Sequence, residues 1–214
     1  MSNAVMQQIG TVGVIPIIVL NDVSKAVELA RALLAGGIGC VEITLRTAVG
    51  IDAIHQIAQA VPEILIGAGT VLSIDQAEVA VAAGARFIVT PGFDDDVVSW
   101  CQSHDVHILP GAVTPTEITH ARKKGIFTIK FFPADLYGGP NAVKSLSGPF
   151  NDMQFVVTSG VNADTLASYL KVPAILACGG SWIAPSALID DGEFEAITRL
   201  AREAAETVKL IRGK

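Results

Sequence analysis

The sequence predicts an α/β protein folded as a closed (βα)8 barrel of the TIM type. Short apolar runs alternate with helical patterns at a nearly constant interval along all 214 residues, and eight such runs can be counted. The rival architecture is an open doubly wound sheet, but no G-x-G-x-x-G fingerprint follows the first run. No Pro/Ser-rich linker divides the chain, so we expect residues 1–214 to form a single (βα)8-barrel domain.

The predicted elements follow one another in strand–helix order. The strands are expected at 14–20, 40–45, 64–71, 87–92, 107–112, 127–134, 154–160 and 174–180. Helical segments are expected at 22–35, 49–60, 74–83 and 94–104, with the last helix near 186–212.

Helix start and stop signals agree with this pattern. The stretches SIDQ (73–76) and TPTE (114–117) have the capping-box sequence, the second with Pro115 at the first helical position. The acidic run at 94–96 is interpreted as an N-cap with first-turn carboxylates rather than as a metal site. Three glycines fall just past predicted helix ends, where a left-handed residue is favoured: Gly36, Gly84 and Gly125.

The composition excludes several classes of function. Half of the residues are hydrophobic and 17% are charged, which fits a parallel sheet covered by helices. The formal net charge of −6 argues against nucleic acid or an anionic membrane as a partner. We expect neither a membrane span nor a signal peptide, since no apolar run reaches 18 residues. The odd, widely spaced cysteines indicate inert packing residues in a reduced, cytoplasmic protein: Cys40, Cys101 and Cys178.

Strand alternation turns ionisable side chains into the predicted barrel. In CVEITLR (40–46), one face is apolar and the other carries Glu42 and Arg46. The same parity in FTIKFFPA (127–134) turns Lys130 inward. All three lie near the carboxyl-terminal mouth, where barrels of this type keep their catalytic groups.

These inward groups have a structural and a chemical interpretation. A Lys130–Glu42 ion pair that only joins strands is the structural one, but such pairs add little stability and can often be replaced by apolar residues. Three inward ionisable groups therefore favour a function. A neutral lysine amine can attack a carbonyl. Burial beside Arg46 favours the neutral amine, whereas direct pairing with Glu42 favours the charged form, and the sequence leaves this balance open.

Glycine-rich turns end the seventh and eighth strands, as TSG (158–160) and CGGSW (178–182). Such turns are the usual phosphate site of this barrel, because backbone N–H groups at helix N-termini point at the ligand. The alternative is that the glycines only form tight turns. The phosphate hypothesis assigns the site to backbone amides of Gly160, Gly179, Gly180 and Ser181, with the Ser181 hydroxyl as a further donor.

The four histidines argue against a metal site. His104 and His107 straddle a helix end and a strand start on the amino-terminal side of the barrel, and His55 and His120 lie in predicted helices. Metal ligands in such barrels need a His/carboxylate cluster at the strand C-termini, and none is present in the sequence pattern. We therefore expect no metal.

Five stretches resemble the signatures of the 2-keto-3-deoxy-6-phosphogluconate (KDPG) aldolase family, which includes the 4-hydroxy-2-oxoglutarate (KHG) aldolases. The stretches are VEITLRT (41–47), GAGTVL (67–72), TPGFD (90–94), LPGAVTPTE (109–117) and KFFPA (130–134). The resemblance spans essentially the whole chain. Its most specific part is the combination of the E-x-T-x-R strand with the K-x-F-P-A strand.

The resemblance implies a class I aldolase that needs neither metal nor cofactor and works as a homotrimer. Its substrate would be KDPG, cleaved to pyruvate and glyceraldehyde 3-phosphate in the Entner–Doudoroff pathway, with activity on KHG that gives pyruvate and glyoxylate. By similarity, Lys130 forms the Schiff base and Glu42 is the general acid/base. Arg46 and Thr70 would hold the pyruvyl carboxylate.

The remaining family positions surround the substrate chain. Pro91 and Phe132 would shape the pocket, and Thr158 matches the position linked to preference at C4. The family commonly has two glycines after this threonine, whereas this chain has Ser159 before Gly160, which leaves phosphate binding there in question. Two alternatives stay open: the related 6-phosphogalactonate aldolase, which differs at C4, and a non-catalytic sugar-phosphate-binding barrel. A threonine at 158, rather than an aliphatic residue, favours the gluconate substrate.

Overall fold

The computed structural model describes residues 4–213 and confirms the predicted barrel. Eight parallel strands form one sheet in the order β5-β4-β3-β2-β1-β8-β7-β6. The strands are β1 Val14–Ile18, β2 Cys40–Thr44, β3 Leu65–Gly69, β4 Phe87–Val89, β5 His107–Leu109, β6 Thr128–Phe131, β7 Gln154–Thr158 and β8 Ile175–Gly180.

The barrel closes between β5 and β6 through a short extension of β5. Lys130 donates its N–H to the Pro110 carbonyl (2.9 Å) and accepts from the Ala112 N–H (3.0 Å), which makes a parallel bridge between Gly111 and Lys130. The two strands at the ends of the sheet order are therefore joined by backbone hydrogen bonds of the one lysine that alternation turns inward.

Helices surround this sheet on its outside and at its base. They are α1 Ala4–Val12, α2 Ala26–Ala35 (preceded by a 3₁₀ turn, Val23–Lys25), α3 Gly50–Ala60, α4 Ile74–Ala83, α5 Asp95–Ser103, α6 Pro115–Lys123, α7 Gly139–Leu146, α8 Leu166–Leu170, α9 Ser186–Asp190 and α10 Phe194–Arg212. None of the helices in residues 4–213 is both long and apolar enough to cross a membrane.

Two helical features differ from the prediction. The sequence pattern did not indicate α1, which precedes the first strand. The single helix expected at 186–212 is two helices, α9 and α10, because Gly192 between them adopts a left-handed conformation (φ 74°) that an α-helix cannot contain. An apolar pattern that continues on both sides of such a break looks like one helix in the sequence.

The capping predictions are confirmed for α5 and α6 and in part for α4. At α4 the reciprocal half of the predicted capping box is missing, because Gln76 Oε1 accepts from the Leu72 N–H (2.7 Å) and not from Ser73. Glu117 donates its backbone N–H to Thr114 Oγ1 (3.3 Å), and its carboxylate accepts from the Thr114 N–H (2.8 Å), which is a full capping box. Ser73 caps α4 by accepting from the Gln76 N–H (3.2 Å). Asp94 caps α5 by accepting from two backbone N–H groups of the first turn.

Of the three glycines assigned to left-handed helix ends, one was wrong. Gly84 (φ 116°) and Gly125 (φ 75°) are left-handed, but Gly36 is right-handed (φ −82°) and Gly37 (φ 88°) takes the left-handed conformation. Gly36 is needed for close packing instead, because a Cβ there would overlap Ala201 of α10. The left-handed residue was predicted one position too early. Gly36 is required by the packing of α2 against α10, and such a contact leaves no signal in the local sequence.

Apolar side chains form two clusters, one on each side of the sheet. The outer cluster lies between strands and helices and includes Val41 and Ile43, as alternation predicted. The inner cluster fills the amino-terminal half of the barrel with Ile15, Cys40, Leu65, Phe87, Val89, Leu109, Val156 and Ala177. Val5 and Ile9 of α1 belong to the inner cluster, so this helix closes the base of the barrel.

The three cysteines are buried and free. Burial raises the pKa of the Cys40 thiol well above its usual range, and it raises the pKa of Cys101 and of Cys178 to about 12. All three thiols are therefore protonated at neutral pH and have no nucleophilic thiolate, as expected of packing residues.

Candidate active site

Lys130 and Glu42 meet inside the carboxyl-terminal half of the barrel. Lys130 Nζ lies 3.5 Å from Glu42 Oε1, and only 6% and 2% of the two residues is exposed. Their strands, β6 and β2, are four places apart in the sheet order, so the contact crosses the interior. The predicted inward direction of both side chains is confirmed by this contact. Two ionisable groups withdrawn from water in a barrel mouth are typical of a catalytic pair.

The base of the Lys130 side chain is held rigidly. Its peptide groups form the bridge that closes the barrel, so its backbone is bonded on both sides. Nζ also lies 5.4 Å from the centroid of the Phe132 ring, within the range of a cation–π contact. The structure thus brings Phe132 beside the amine, where the sequence placed it.

Arg46 and Thr70 lie side by side at the mouth. Arg46 follows the end of β2 and donates from Nε to Thr70 Oγ1 (3.3 Å). Thr70 follows β3 in a left-handed conformation (φ 59°), which is rare for a β-branched residue and shows that the backbone is constrained there. The Arg46 side chain is exposed, and its two Nη groups have no protein partner among the described residues. They are available for a bidentate contact with a carboxylate.

Arg46 does not share the burial of the Lys130–Glu42 pair. Glu42 is the charged group that contacts Nζ, whereas the guanidinium is exposed at the rim. Of the two opposing influences on the amine considered from the sequence, the structure therefore shows direct contact only for the carboxylate.

Thr158, the last residue of β7, carries an unsatisfied hydroxyl. The residue is 3% exposed, and its buried Oγ1 has no hydrogen-bond partner among residues 4–213. A buried hydroxyl without a partner costs about 1–3 kcal/mol. Its methyl group lies close to Gly179 of the neighbouring strand, where a Cβ would come within 2.6 Å of Thr158 Cγ2. A hydroxyl in this state is prepared to bond a ligand.

Pro91 lies in the loop after β4, against the seam where the barrel closes. A Cβ on Gly111 would overlap the Pro91 carbonyl, and Gly111 bridges Lys130. The loop that carries Pro91 is therefore packed next to the strand segment that holds the lysine, which agrees with its predicted place in the pocket wall.

The two glycine-rich turns lie next to each other at the end of β7 and β8, since Thr158 pairs with Gly179 in the parallel register. Ser159 (φ 79°) and Gly160 (φ 70°) are consecutive left-handed residues. Neither turn, 158–162 or 178–182, contains lysine or arginine. An anion here would be bound by backbone N–H groups and by the hydroxyls of Ser159 and Ser181.

Sequence reasoning missed two residues at this mouth. Asp135 packs against Gly160, where a Cβ would come within 2.5 Å of the Asp135 Cβ. Gly69 lies directly beneath the Glu42 carboxylate, which leaves no room for a Cβ. Both contacts join segments far apart in the sequence, and the only available signal was that each residue lies within or beside a family stretch.

No group of three or more His, Cys, Asp or Glu side chains within residues 4–213 is arranged to hold a metal ion. The acidic run at 94–96 acts as a helix cap, and Asp95 instead bonds His120 Nε2 (3.0 Å) and Lys124 Nζ (2.7 Å). The hydrogen bond from Lys124 contributes most to holding the pKa of the Asp95 carboxyl below its usual range; desolvation opposes it, and the hydrogen bond with His120 adds to it.

Known proteins share this fold, and their sequence similarity to this chain extends along nearly its whole length. The family model of KDPG and KHG aldolase matches residues 5–200. A 2-dehydro-3-deoxy-phosphogluconate aldolase of Treponema pallidum is 45% identical over 204 residues, covering 95% of this chain and 97% of the relative.

Two solved KDPG aldolases superpose closely on the barrel. That of Legionella pneumophila, with pyruvate captured at low pH as a covalent carbinolamine intermediate, has a TM-score of 0.90 at 36% identity, covering 94% of this chain and 97% of its own. That of Zymomonas mobilis ZM4, with 3-phosphoglycerate, has a TM-score of 0.90 at 34% identity, covering 96% of each chain.

The relatives are aldolases, which confirms the enzyme class expected from the sequence. The match of fold, length and sequence extends over the whole barrel that carries Lys130 and Glu42. The chain therefore belongs to the KDPG and KHG aldolase family.

Proposed function

We propose that this chain is a class I aldolase that cleaves KDPG to pyruvate and glyceraldehyde 3-phosphate, with Lys130 as the Schiff-base residue. The observation that carries the proposal is the buried 3.5 Å contact between Lys130 Nζ and the Glu42 carboxylate in the mouth of the barrel. An amine for carbon–nitrogen bond formation and a base for proton transfer are the two groups that this chemistry requires.

The first half of the reaction joins substrate and enzyme. The neutral amine of Lys130 attacks the C2 carbonyl carbon, and the resulting carbinolamine loses water to give an iminium ion. Glu42 is close enough to Nζ to accept the proton that the amine must release. It returns this proton to the departing C2 hydroxyl, which leaves as water, and is again a carboxylate for the next step. Arg46, with Thr70 holding its Nε, fixes the adjacent substrate carboxylate through its free Nη groups.

The second half breaks the C3–C4 bond. Glu42, through a water molecule, takes the proton of the C4 hydroxyl, the aldehyde forms, and the bonding electrons move through C3 to the iminium nitrogen. The product is an enamine, which Glu42 reprotonates at C3. Hydrolysis of the iminium then releases pyruvate and restores the Lys130 amine.

The rest of the substrate extends from Lys130 toward β7 and β8. The unsatisfied Thr158 hydroxyl would bond the C4 oxygen and thereby favour the gluconate over the galactonate epimer. Pro91 and Phe132 would line the pocket around the reacting carbons. The terminal phosphate would bind backbone amides of the two turns, which contain no lysine or arginine. These amides belong to Ser159, Gly160, Gly179, Gly180 and Ser181.

Four further properties are proposed. KHG, which lacks the phosphate, would also be cleaved, to pyruvate and glyoxylate, because the Lys130–Glu42 pair acts on the keto-acid end alone. The chain would act in the cytoplasm as a homotrimer, each copy of residues 1–214 forming one barrel domain. Light scattering of the purified chain tests the trimer.

Borohydride trapping tests the central proposal. Incubation with pyruvate and borohydride is expected to add one reduced pyruvyl group to Lys130, located by peptide mass spectrometry. Lys144, exposed on α7, serves as the internal control and should stay unmodified. An unmodified Lys130, or cleavage activity that survives in a Lys130→Ala variant, would contradict the Schiff-base mechanism.

Substrate choice is tested separately. Turnover of KDPG is compared with turnover of its C4 epimer, in the wild-type chain and in a Thr158→Val variant that keeps the shape of the side chain but replaces the hydroxyl with a methyl group. We expect the preference for the gluconate epimer to shrink in the variant. An unchanged ratio would show that Thr158 does not read C4.

A further inference from the structure

The carboxylate of Glu42 rests on the backbone of the neighbouring strand. β2 and β3 pair in parallel with Glu42 opposite Gly67 and Thr44 opposite Gly69, and the Glu42 side chain extends along the strands toward Gly69. A Cβ at Gly69 would overlap Glu42 Oε1 and come within 2.6 Å of both Cγ and Cδ. The outer half of this side chain therefore lies flat on Gly69, the second of the two glycines of β3.

Gly69 is a glycine for reasons of space and not of backbone conformation. It is absent from the residues with positive φ, whereas the next residue, Thr70, is left-handed. Its carbonyl accepts from the Leu45 N–H (2.8 Å), so the strand is bonded to β2 at this point. Alanine would fit the backbone of this position without strain but not the volume that Glu42 occupies.

Few other contacts fix the Glu42 carboxylate. Its single hydrogen bond in the described part of the chain is the 3.5 Å contact from Lys130 Nζ, which is at the limit of such bonds. The nearby Thr44 hydroxyl donates to the Ile18 carbonyl (2.7 Å) instead. Below the pair, the inner cluster that includes Cys40 offers only apolar atoms. The position of the carboxylate depends mainly on the surface beneath it.

We propose that Gly69 is a positioning residue for the reaction: it provides the surface that holds the Glu42 carboxylate at the Lys130 amine. The proposal rests on the role of Glu42 proposed above. When a Cβ is added, the flexible end of Glu42 moves rather than the bonded strand, because a side chain of several rotatable bonds yields at lower cost than the sheet. Displacement of a catalytic group by about 1 Å can reduce a rate about 10²-fold.

The test uses Gly69→Ala, with Gly39→Ala as its matched control. Gly39 precedes β2, has ordinary backbone conformation, and an added Cβ there would be 3.9 Å from its nearest neighbour, Leu34 Cδ2. Gly69→Ala is expected to lower kcat for cleavage about 10²-fold with a much smaller change in KM. The rate at which the enzyme exchanges pyruvate methyl protons with deuterated water should fall in parallel, since both need Glu42. Gly39→Ala should keep wild-type rates.

A double-mutant cycle separates positioning from a general structural effect. In a Glu42→Gln background, Gly69→Ala should reduce the rate little further, because the group that it displaces is already inactive. Borohydride trapping of pyruvate on Lys130 should persist in Gly69→Ala. A wild-type kcat, an equal loss in both backgrounds, loss of trapping, or failure of Gly69→Ala to fold would each overturn the proposal. If Glu42→Gln itself has full activity, the proposed role of Glu42 is wrong, which is a distinct outcome.

Discussion

The two halves of the barrel interior are built by the same strands but from different chemistry. In the amino-terminal half, Cys40 on β2 belongs to a buried apolar cluster that Ile9 of α1 closes from below. Two residues further along the same strand, Glu42 meets Lys130 across the carboxyl-terminal half. On one strand, two consecutive inward-facing residues thus belong to the apolar cluster that stabilises the barrel and to the proposed catalytic pair. Substitutions in the two halves should therefore have separable effects.

The largest effect is expected from Lys130→Ala, which removes the covalent route. Cleavage should fall by more than the ~10⁴-fold that marks the upper range for one acid–base group. Steady-state cleavage of KDPG measures the loss. Lys144→Ala, which changes an exposed side chain of α7, should retain full activity.

Glu42→Gln should follow, with a loss of about 10²–10⁴-fold in kcat. The amide has nearly the shape of the carboxylate but cannot accept the C4 hydroxyl proton. Trapping of pyruvate on Lys130 should remain, which distinguishes loss of proton transfer from loss of the nucleophile. Equal damage to trapping and cleavage would mean that the two residues do not have separate roles.

Ile9→Ala tests the amino-terminal half of the barrel interior. Truncating this fully buried side chain at the base of the barrel should lower the free energy of unfolding by about 2–5 kcal/mol, measured by denaturant titration. kcat per folded molecule should be unchanged. Gln7→Ala, exposed on the same helix, should change stability by less than about 0.5 kcal/mol. A kcat that falls with Ile9→Ala would show that the halves are coupled.

Glu117→Gln tests whether a carboxylate affects catalysis merely because it lies near the mouth of the barrel. Burial raises the pKa of this carboxyl, but hydrogen bonds donated by the Val113 and Thr114 amides lower it more, so the net pKa is below the ordinary value. A group with a depressed folded-state pKa stabilises the fold above its unfolded-state pKa and loses this contribution as the pH falls through the folded-state value.

The expected stability difference between wild type and Glu117→Gln is about 0.3–1.5 kcal/mol at neutral pH. It should vanish in acid, with kcat per folded molecule unchanged throughout. Thermal unfolding from neutral to acidic pH measures this stability difference. Glu78→Gln, which changes an exposed side chain of α4, is the control. A constant difference at every pH would contradict the linkage.

Local patterns were enough to predict the strands, the fold class and the inward direction of Glu42 and Lys130, because alternation depends on neighbouring residues alone. The capping box at Thr114 was equally local. Contacts between distant segments were not predictable. The inner role of α1 depends on where Ile9 lies after the barrel has closed.

The same limit explains the missed site residues. Gly69 lies within a family motif, but this position needs a glycine because the Glu42 side chain of another strand occupies the space of a Cβ. Asp135 came directly after the lysine strand, and its contact with Gly160 arises only when β6 and β7 lie side by side. The residue roles proposed for the site remain predictions that the variants above test.

The backbone of Lys130 also forms the seam between the fifth and sixth strands, with hydrogen bonds to Pro110 and Ala112. The proposed nucleophile is thus part of the contact that closes the barrel. A chain cut near Gly125 would give two partial barrels whose reassociation restores this seam and the amine together, so recovered turnover would report reassembly. Local opening of the seam would abolish catalytic activity before the helices unfold.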